Sequence, residues 1–398
     1  MNPRRWAVAL VCMAAVSATV AWAQEGAQLP PPYETPSVKN GPKIVDRPGN
    51  AAFHVPPGFH VEEYAAGFAR PRFMIVGPSG EILLSDAAED GAVYVLTDPG
   101  HQQRNPERRK LVDHLLKPYG LAFWKDYLYI AETTSIKRYK YDRKAMTVGP
   151  GEEVVSMKGF DKGHVTRSLL FDRGGEKLYV GVGSSANVVT GDPETRAAIN
   201  RYNPDGSGHE IFASGTRNPI GIHWYPGTDT LWAAVQERDL LGDDLAPDYF
   251  THIRKGGFYG WPYAYLGAHE DPTTRGQRPD LVAKTIVPDM LLLPAHLAVL
   301  DFTFYTGKQF PAEYRGGAFL AFHGSSNRAQ RVGYEIAFAP FSHGRPSGAR
   351  QDFLTGWMLG AGRPEVWGRP VAVLQMDDGS LLVSDDGGKK LWRIYYQK

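Results

Sequence analysis

The sequence predicts an all-β protein folded as a six-bladed β-propeller, and three observations support this prediction. An apolar strand, a Gly/Asp turn and a second aliphatic-aromatic strand recur six times along the chain. Most recurrences lie roughly 40 to 60 residues apart, the spacing of blades of about four strands each. Glycine (44 residues), proline (30) and aromatic residues (12%) are abundant, as in folds with many strands and turns. A generic pair of β-sandwiches is the alternative.

The six recurring segments each predict the first two strands of a blade. In chain order they are Pro71–Ala87, Tyr119–Thr133, Thr166–Gly183, Pro219–Gln236, Leu300–Gly324 and Arg369–Asp386. Turn dipeptides such as DG and GG inside them favour antiparallel hairpins. Several are followed by a third strand, as in GAVYVLTD and KLWRIYY. The longest insertion, roughly residues 243–294, is expected to hold loops and a short helix.

The N-terminus predicts export. Arg4 and Arg5 precede an apolar segment at 6–20, and Ala-Trp-Ala at 21–23 matches a signal-peptidase site. A membrane anchor is the alternative, but the apolar segment is short for a span of about 20 residues. No later apolar run is long enough to cross a membrane, so we expect a periplasmic or secreted protein.

These features divide the chain into a signal peptide (1–23), an extended Pro-rich leader (24–50) and a propeller domain (51–398). The only cysteine, Cys12, leaves with the signal peptide. The mature chain therefore has no disulfide, no thiolate metal site and no c-type haem attachment.

Charge and missing motifs exclude several functions. The 44 basic and 43 acidic residues give a net charge of +1, which provides no footprint for nucleic acid. The chain has no G-x-S-x-G elbow, no G-x-G-x-x-G after a strand, no phosphate-binding P-loop and no H-E-x-x-H. These absences argue against nicotinamide enzymes, kinases, serine hydrolases and zinc proteases.

Basic side chains recur at or near strand ends in five of the six segments. Because one end of a propeller gathers such loops around its axis, we expect these side chains to converge. Converging Arg and His suit a polyanionic or quinonoid ligand, since guanidinium groups pair with carboxylates. Each alone has an ordinary explanation, so the prediction depends on the repetition. The basic residues are Arg72, His164, Arg167, Arg217, His323, Arg328 and Arg369, and the neutral Asn218 and Asn327 stand beside Arg217 and Arg328.

A second group of polar residues crowds the segment 235–250. Carboxylate and carbonyl oxygens in an irregular loop are typical ligands of Ca²⁺. The spacing is not that of an EF-hand, and a solvated acidic turn is the alternative. The acidic residues are Glu237, Asp239, Asp243, Asp244 and Asp248.

Several motifs together resemble those of the soluble glucose/sorbosone dehydrogenases, and the sorbosone branch is the closer one. The resemblance covers about residues 53–396. It is carried by GHVTRSLLFDRGGEKLYVGVGSSANV, ASGTRNPIGI, GDDLAPDYF followed by KGGFYGWPY, YRGGAFLAFHGSSNR and GRPVAVLQMDDGSLLVSDD. It implies a six-bladed propeller that oxidises a sugar or aldehyde with pyrroloquinoline quinone (PQQ) and Ca²⁺, passing electrons to a separate periplasmic cytochrome or quinone.

The resemblance also implies roles for individual residues. His164 stands at the general base, and Arg217 and Asn218 stand beside the quinone carbonyls. The remaining cofactor contacts would be Arg72, His323, Asn327, Arg328 and Arg369. The Ca²⁺ loop would supply Glu237, Asp239, Leu240, Asp243 and Asp244, partly through backbone carbonyls.

Three positions depart from the family pattern. Val165 and Ser326 stand where tryptophan is frequent, which puts the substrate and the cofactor affinity in doubt. Ser184 stands nearest to an aspartate that orients the base in the glucose branch. A serine hydrogen-bonds an imidazole but does not stabilise its cation by charge.

The resulting hypothesis is that neutral His164 accepts a hydroxyl proton while hydride passes to PQQ, and that Arg217 and Ca²⁺ stabilise the oxyanion. Arg167 is expected to pack at the start of a strand or to pair with an acid. Two rival classes stay open: a Ca²⁺-dependent sugar lactonase, and a non-catalytic secreted propeller that binds glycans or proteins.

Overall fold

The computed structural model describes residues 29–98 and 106–398, and in them six sheets form the blades of a β-propeller. The six segments found in the sequence are the first two strands of the six blades, so the predicted fold is confirmed. The predicted signal peptide and Cys12 lie outside the described residues. No helix in the described part of the chain is both long and apolar enough to cross a bilayer.

Each blade has four main strands, which follow one another from the innermost to the outermost. They are Pro71–Val76, Ile82–Asp86, Gly91–Thr97 and Glu107–Leu115 in blade 1; Leu121–Trp124, Tyr127–Ala131, Ser135–Asp142 and Thr147–Ser156 in blade 2; Arg167–Phe171, Leu178–Val182, Ala198–Tyr202 and Glu210–Ser214 in blade 3; Asn218–Trp224, Leu231–Gln236, Asp248–His252 and Met290–Leu292 in blade 4; Val299–Phe304, Ala318–Phe322, Glu335–Ala339 and Gln351–Leu354 in blade 5; and Pro370–Gln375, Leu381–Asp385, Lys390–Tyr396 and Phe59–Ala66 in blade 6.

Blade 6 closes the ring with strands from both parts of the chain. Phe59–Ala66 pairs antiparallel with Lys390–Tyr396, so the first blade-forming strand completes the last blade. This pairing joins the first and last strands of the propeller in one sheet and so closes the ring of blades.

The insertion at 243–294 contains more regular structure than the sequence suggested. It supplies the third and fourth strands of blade 4, Asp248–His252 and Met290–Leu292, besides the expected short helix Pro279–Val282. The outer strand has only three residues, too few for a periodic pattern to reveal. Gly257–Phe258 adds a fifth strand to the outer edge of blade 3, parallel to Glu210–Ser214. Short elements outside the blades are Lys43–Ile44, Ala264–Tyr265, His269–Glu270, the 3₁₀ turn Ala312–Tyr314, Phe341–Ser342, Arg345–Pro346 and Glu365–Val366.

Aromatic side chains fill the space between neighbouring blades. Phe250 of blade 4 meets Phe302 of blade 5 edge to face, with ring centroids 4.6 Å apart, and Trp232 packs on Phe250 at 4.8 Å. All three are essentially inaccessible to solvent. Each such side chain contributes roughly 1.5–3 kcal/mol by burial, so the 12% aromatic content supports the blade contacts.

One end of the propeller gathers the polar residues that the sequence singled out. The first two strands of a blade are antiparallel, so the start of the inner strand lies beside the end of the second strand. The register shows this in Arg167 opposite Val182, Asn218 opposite Gln236, and Pro370 opposite Asp385. We call this end the site face.

Candidate active site

His164 lies on the site face just before the inner strand of blade 3, and its imidazole is held by Ser184. The Nδ1 atom is 2.9 Å from the Ser184 carbonyl oxygen and 3.0 Å from its Oγ. The Ser184 hydroxyl donates to the Ala186 carbonyl at 2.7 Å, so its oxygen accepts from His164. Both partners are acceptors, which assigns the imidazole proton to Nδ1. The Nε2 atom therefore carries a free lone pair.

The surroundings keep this imidazole neutral. Burial, and then the charge of Arg217, lower the pKa of His164 from 6.5 to about 3. Gly183 closes the other side of the ring: a Cβ there would lie 2.5 Å from His164 Cβ and 2.3 Å from Asn218 Oδ1. Only glycine leaves room at this position.

Arg167 braces the loop before it and does not reach the site. It is fully buried, and it donates to the carbonyl oxygens of His164 at 2.8 Å and Phe160 at 2.6 Å. This agrees with a role in packing at the start of the strand. The Arg167 guanidinium fixes the backbone that carries His164.

Arg217 and Asn218 begin blade 4 beside His164. Arg217 donates to the Glu237 carbonyl at 2.7 Å and, through Nε, to the Asn187 carbonyl at 3.1 Å. Asn218 donates to Gln236 Oε1 at 2.9 Å. These contacts immobilise both side chains next to the imidazole.

A narrow cavity of about 110 Å³ joins these residues to the acidic segment. It admits one edge of a ligand rather than a whole cofactor with its substrate. Its lining is His164, Arg217, Gln236, Glu237, Asp239, Asp248, His296, Ala298, Ser326 and Asn327.

Two buried carboxyl groups at the base of this cavity hold protons easily. Burial raises the pKa of Glu237 to about 8, and its Oε1 has no hydrogen-bond partner. Burial likewise raises the pKa of Asp248 to about 6, although its carboxylate accepts from the amides of Glu237 and Val299. Burial therefore favours the protonated form of both carboxyl groups.

Asp239 and His296 form an ion pair that the sequence did not reveal. The His296 Nδ1 lies 3.3 Å from Asp239 Oδ1, and its Nε2 donates to the Gly242 carbonyl at 2.9 Å. Burial opposes ionisation of both, but their hydrogen bond raises the pKa of His296 and lowers that of Asp239. His296 stands alone in the stretch PAHLAV, outside any repeated motif, so only the fold brings it here.

The carboxylates predicted to hold Ca²⁺ are turned to other partners. Asp244 pairs with Arg328, whose guanidinium also contacts the Asp243 carbonyl, and the Asp243 carboxylate accepts from the Ala329 amide at 3.1 Å. Leu240 is on the surface with a positive φ of 71°. Among the described residues no three His, Cys, Asp or Glu side chains are grouped to hold a metal ion. The acidic loop does not fit a carboxylate cage for Ca²⁺.

A second cluster on the site face is centred on Asp386, which sequence reasoning missed. Its carboxylate pairs with Arg72 at 2.7 Å, His323 Nε2 at 2.8 Å and Arg70 at 3.3 Å. Arg369 donates to the His323 carbonyl at 3.0 Å. The sequence signal for Asp386 was the motif SDD at residues 384–386. This motif ends the second strand of blade 6 and so places an acid at the site face.

This cluster fits an anionic ligand. Burial, then Arg369, lower the pKa of His323 to about 3, so the imidazole is neutral and donates through Nε2. Burial acts to raise the pKa of Asp386, but His323 and then the charges of Arg72 and Arg369 hold it well below its usual range. The surplus positive charge suits the carboxylates of a cofactor such as PQQ.

Part of the leader packs across the site face. We call this segment, residues 33–44, the strap. Tyr33 N donates to the Leu241 carbonyl at 2.7 Å, and Asp243 N donates to Thr35 Oγ1 at 2.7 Å. Asn40 N then donates to the Ser326 carbonyl at 2.7 Å. The strap therefore ties the acidic loop of blade 4 to the 325–331 loop of blade 5.

Comparison with known proteins identifies the family and the fold of the chain. A family model described as TrAA12-like matches residues 53–245 and 270–397. A calcium structure of the family AA12 enzyme of Trichoderma reesei is 21% identical, with 90% of this chain and 99% of that chain covered at a TM-score of 0.75. The holo PQQ domain of pyranose dehydrogenase from Coprinopsis cinerea is 20% identical, with 90% and 100% covered at 0.75.

A curated relative from Borreliella burgdorferi, described as an uncharacterized protein, is 29% identical over 357 residues. The alignment covers 86% of this chain and 91% of that relative. The structural likenesses establish the fold.

Proposed function

The chain belongs to the TrAA12-like family, and we propose on this basis that it is a PQQ-dependent oxidoreductase acting on an aldose or a sugar aldehyde. Sorbosone-like aldehydes are the substrates that its sequence motifs favour. We place the protein in the periplasm or outside the cell, with a separate cytochrome or quinone as the electron acceptor.

One observation carries the proposal: His164 is a neutral imidazole with a fixed tautomer and an unused lone pair on Nε2 at a cavity. A general base needs this combination of geometry and protonation state. The Ser184 contacts hold the proton on Nδ1, and Arg217 disfavours a second proton.

The residues of the chain divide the work of binding and proton transfer. Arg72, Arg369 and Arg70 would hold the carboxylates of PQQ, while Arg217 and Asn218 would face its quinone end. When bound, PQQ supplies a two-electron acceptor. Nε2 of His164 takes the proton of the substrate hydroxyl as the carbon that bears it is oxidised, giving a lactone from a hemiacetal or an acid from a hydrated aldehyde.

We assign Ca²⁺ no role in the reaction, because the carboxylates of the acidic loop contact Arg328, Ala329 and His296 instead of facing one another. A Ca²⁺ ion at this loop would depend on backbone carbonyls such as that of Leu240. Calcium is therefore treated as a variable in the reconstitution experiment.

The test is reconstitution of the protein purified from residue 24 without cofactor. PQQ is titrated by absorbance and calorimetry with and without Ca²⁺, and dye reduction is followed over aldoses, sorbosone and simple aldehydes. We expect PQQ binding and turnover, with a fall of about 10²–10⁴ in rate for His164→Ala. The matched control is His60→Ala, on the outer strand of blade 6.

Two results would contradict the proposal. Unchanged turnover in His164→Ala would remove its role as the base. Failure to bind PQQ would favour a Ca²⁺-dependent lactonase if lactones are hydrolysed, and otherwise a binding propeller.

A further inference from the structure

A second cavity opens on the site face between the 183–197 loop of blade 3 and the segment 258–263. Its volume is about 390 Å³, within the roughly 300–1,000 Å³ typical of small-molecule sites. Aromatic rings and charged groups both line it. The lining includes Asp192, Glu194, Arg196, Phe258, Trp261 and Tyr263.

Asn187 links the lining of this cavity to that of the His164 site. The Asn187 carbonyl oxygen accepts from Arg217 Nε at 3.1 Å on one side and from Trp261 Nε1 at 2.9 Å on the other. Arg196 of the second cavity donates to the Gly183 carbonyl at 3.1 Å, and Gly183 packs against His164. Residues 183–187 therefore lie between the two cavities and contact the lining of both.

The wall of the cavity is braced before any ligand arrives. Asp192 accepts from the amide of Ser185 at 2.8 Å and from its hydroxyl. Gly215 lets the outer strand approach closely, since a Cβ there would lie 2.7 Å from Gly260 N and 2.8 Å from the Phe258 ring. Such preorganisation lowers the entropic cost of binding.

The lining chemistry selects a neutral polyol. Two carboxylates against one guanidinium give a local charge of about −1, which disfavours anions such as phosphates or the carboxylates of a quinone cofactor. The guanidinium of Arg196 is also engaged over the Phe160 ring at 4.5 Å. Half-buried Phe258 and Tyr263 offer apolar ring surface, while exposed Glu194 offers acceptors for hydroxyl groups.

We propose that this cavity is a second saccharide subsite, which holds the non-reacting sugar unit of a di- or oligosaccharide whose reducing end reaches His164. The substrate class is then a short saccharide rather than a free monosaccharide alone. The identity of the reacting end depends on the function proposed above, but saccharide binding in this cavity does not.

Two variants with one control test the subsite. Tyr263→Ala removes a ring and Glu194→Gln removes a charge, while Tyr395→Ala alters a half-buried tyrosine stacked on His60 of blade 6, at 5.3 Å. With PQQ-loaded enzyme, we expect kcat/KM for cellobiose or maltose to fall about tenfold or more in Tyr263→Ala, and that for glucose to change less than about twofold. Glu194→Gln should show a smaller loss in the same direction, and Tyr395→Ala none.

Calorimetry on the PQQ-free protein makes the test independent of turnover. Cellobiose or maltose binding by the wild type that is weakened in Tyr263→Ala supports the subsite, even if the enzyme proves inactive. Equal losses for glucose and disaccharides overturn it. So does disaccharide binding that is undetectable in the wild type or unchanged in both cavity variants. Thermal unfolding of each variant verifies the fold.

Discussion

The imidazole of His164 and the hydroxyl of Ser184 are joined by a hydrogen bond of 3.0 Å in which the serine oxygen accepts. Because the same Nδ1 also faces the Ser184 carbonyl at 2.9 Å, removing the hydroxyl leaves one partner in place. We expect Ser184→Ala to lower kcat by about two- to tenfold, the worth of one hydrogen bond, and to leave KM unchanged. Steady-state dye reduction measures both. A loss as large as that of His164→Ala would show that the carbonyl alone does not hold the ring.

Stability should have a maximum at mildly acidic pH. Burial lowers the pKa of His164 and His323 from 6.5 to about 3. Between pH 6.5 and about 3, the unfolded chain therefore binds protons at these histidines that the folded protein does not. Stability then falls as the pH drops below 6.5. Burial raises the pKa of Glu237 from 4.5 to about 8, so the folded protein keeps a proton there, and stability falls as the pH rises through that window.

Glu237→Gln isolates the alkaline part of this profile. Asp248 and Glu335 act in the same direction, but their pKa values of about 6 and about 7 confine them to lower pH. The raised pKa of His296 also lowers stability as the pH rises above 6.5, but it does so in the wild type and in the variant alike. Urea unfolding of the wild type should show stability declining between pH 7 and 8, and Glu237→Gln should flatten that slope. A slope unchanged by the substitution would mean that Glu237 is ionised in the folded protein.

Arg72 and Arg70 contact the same Asp386 oxygen but differ in exposure. The Arg72 side chain is 8% exposed and that of Arg70 is 51%. Breaking a buried pair costs about 3–5 kcal/mol, and a surface pair about 0–1 kcal/mol. We expect Arg72→Ala to fall near the lower end of the first range, because His323 still donates to Asp386, and Arg70→Ala to fall in the second. Equal losses of unfolding free energy would contradict this ranking.

The strap offers a test of loop positioning by a residue outside the blades. Asn40 Nδ2 donates to the Arg328 carbonyl at 3.0 Å, and Asn40 Oδ1 accepts from Arg331 at 2.6 Å. We expect Asn40→Ala to cost about 1–3 kcal/mol, to speed hydrogen exchange in residues 325–331, and to weaken PQQ binding. Lys39→Ala, at an exposed neighbour, is the control. Identical exchange in the two variants would mean that the side chain does not position the loop.

The sequence predicted the blades well because each inner and second strand carries its own pattern and turn. It could not predict which distant loops would meet. His296, Asn187 and Asp386 enter the site through tertiary contacts. His296 stands outside any repeated motif, and the motifs that contain Asn187 and Asp386 do not show which side chains from other blades they meet. The acidic loop shows the opposite case: its composition suggested a cation site, but Arg328 and His296 arrive from blade 5 and the segment before it to neutralise two of its carboxylates.

Because of the strap, the first residue needed for a complete set of blades differs from the first residue needed for the site loops. The family match begins at residue 53, and a chain starting there would still contain every blade strand and the pairing that closes the ring. It would lack Thr35 and Asn40, and with them the brace between two loops of the cavity. We therefore expect the shortest chain that folds to be shorter than the shortest chain with an intact site, although it would also lose the pairing of Lys43–Ile44 with Glu365–Val366. A truncated or N-terminally fused protein with normal thermal stability but poor activity would follow directly from this difference.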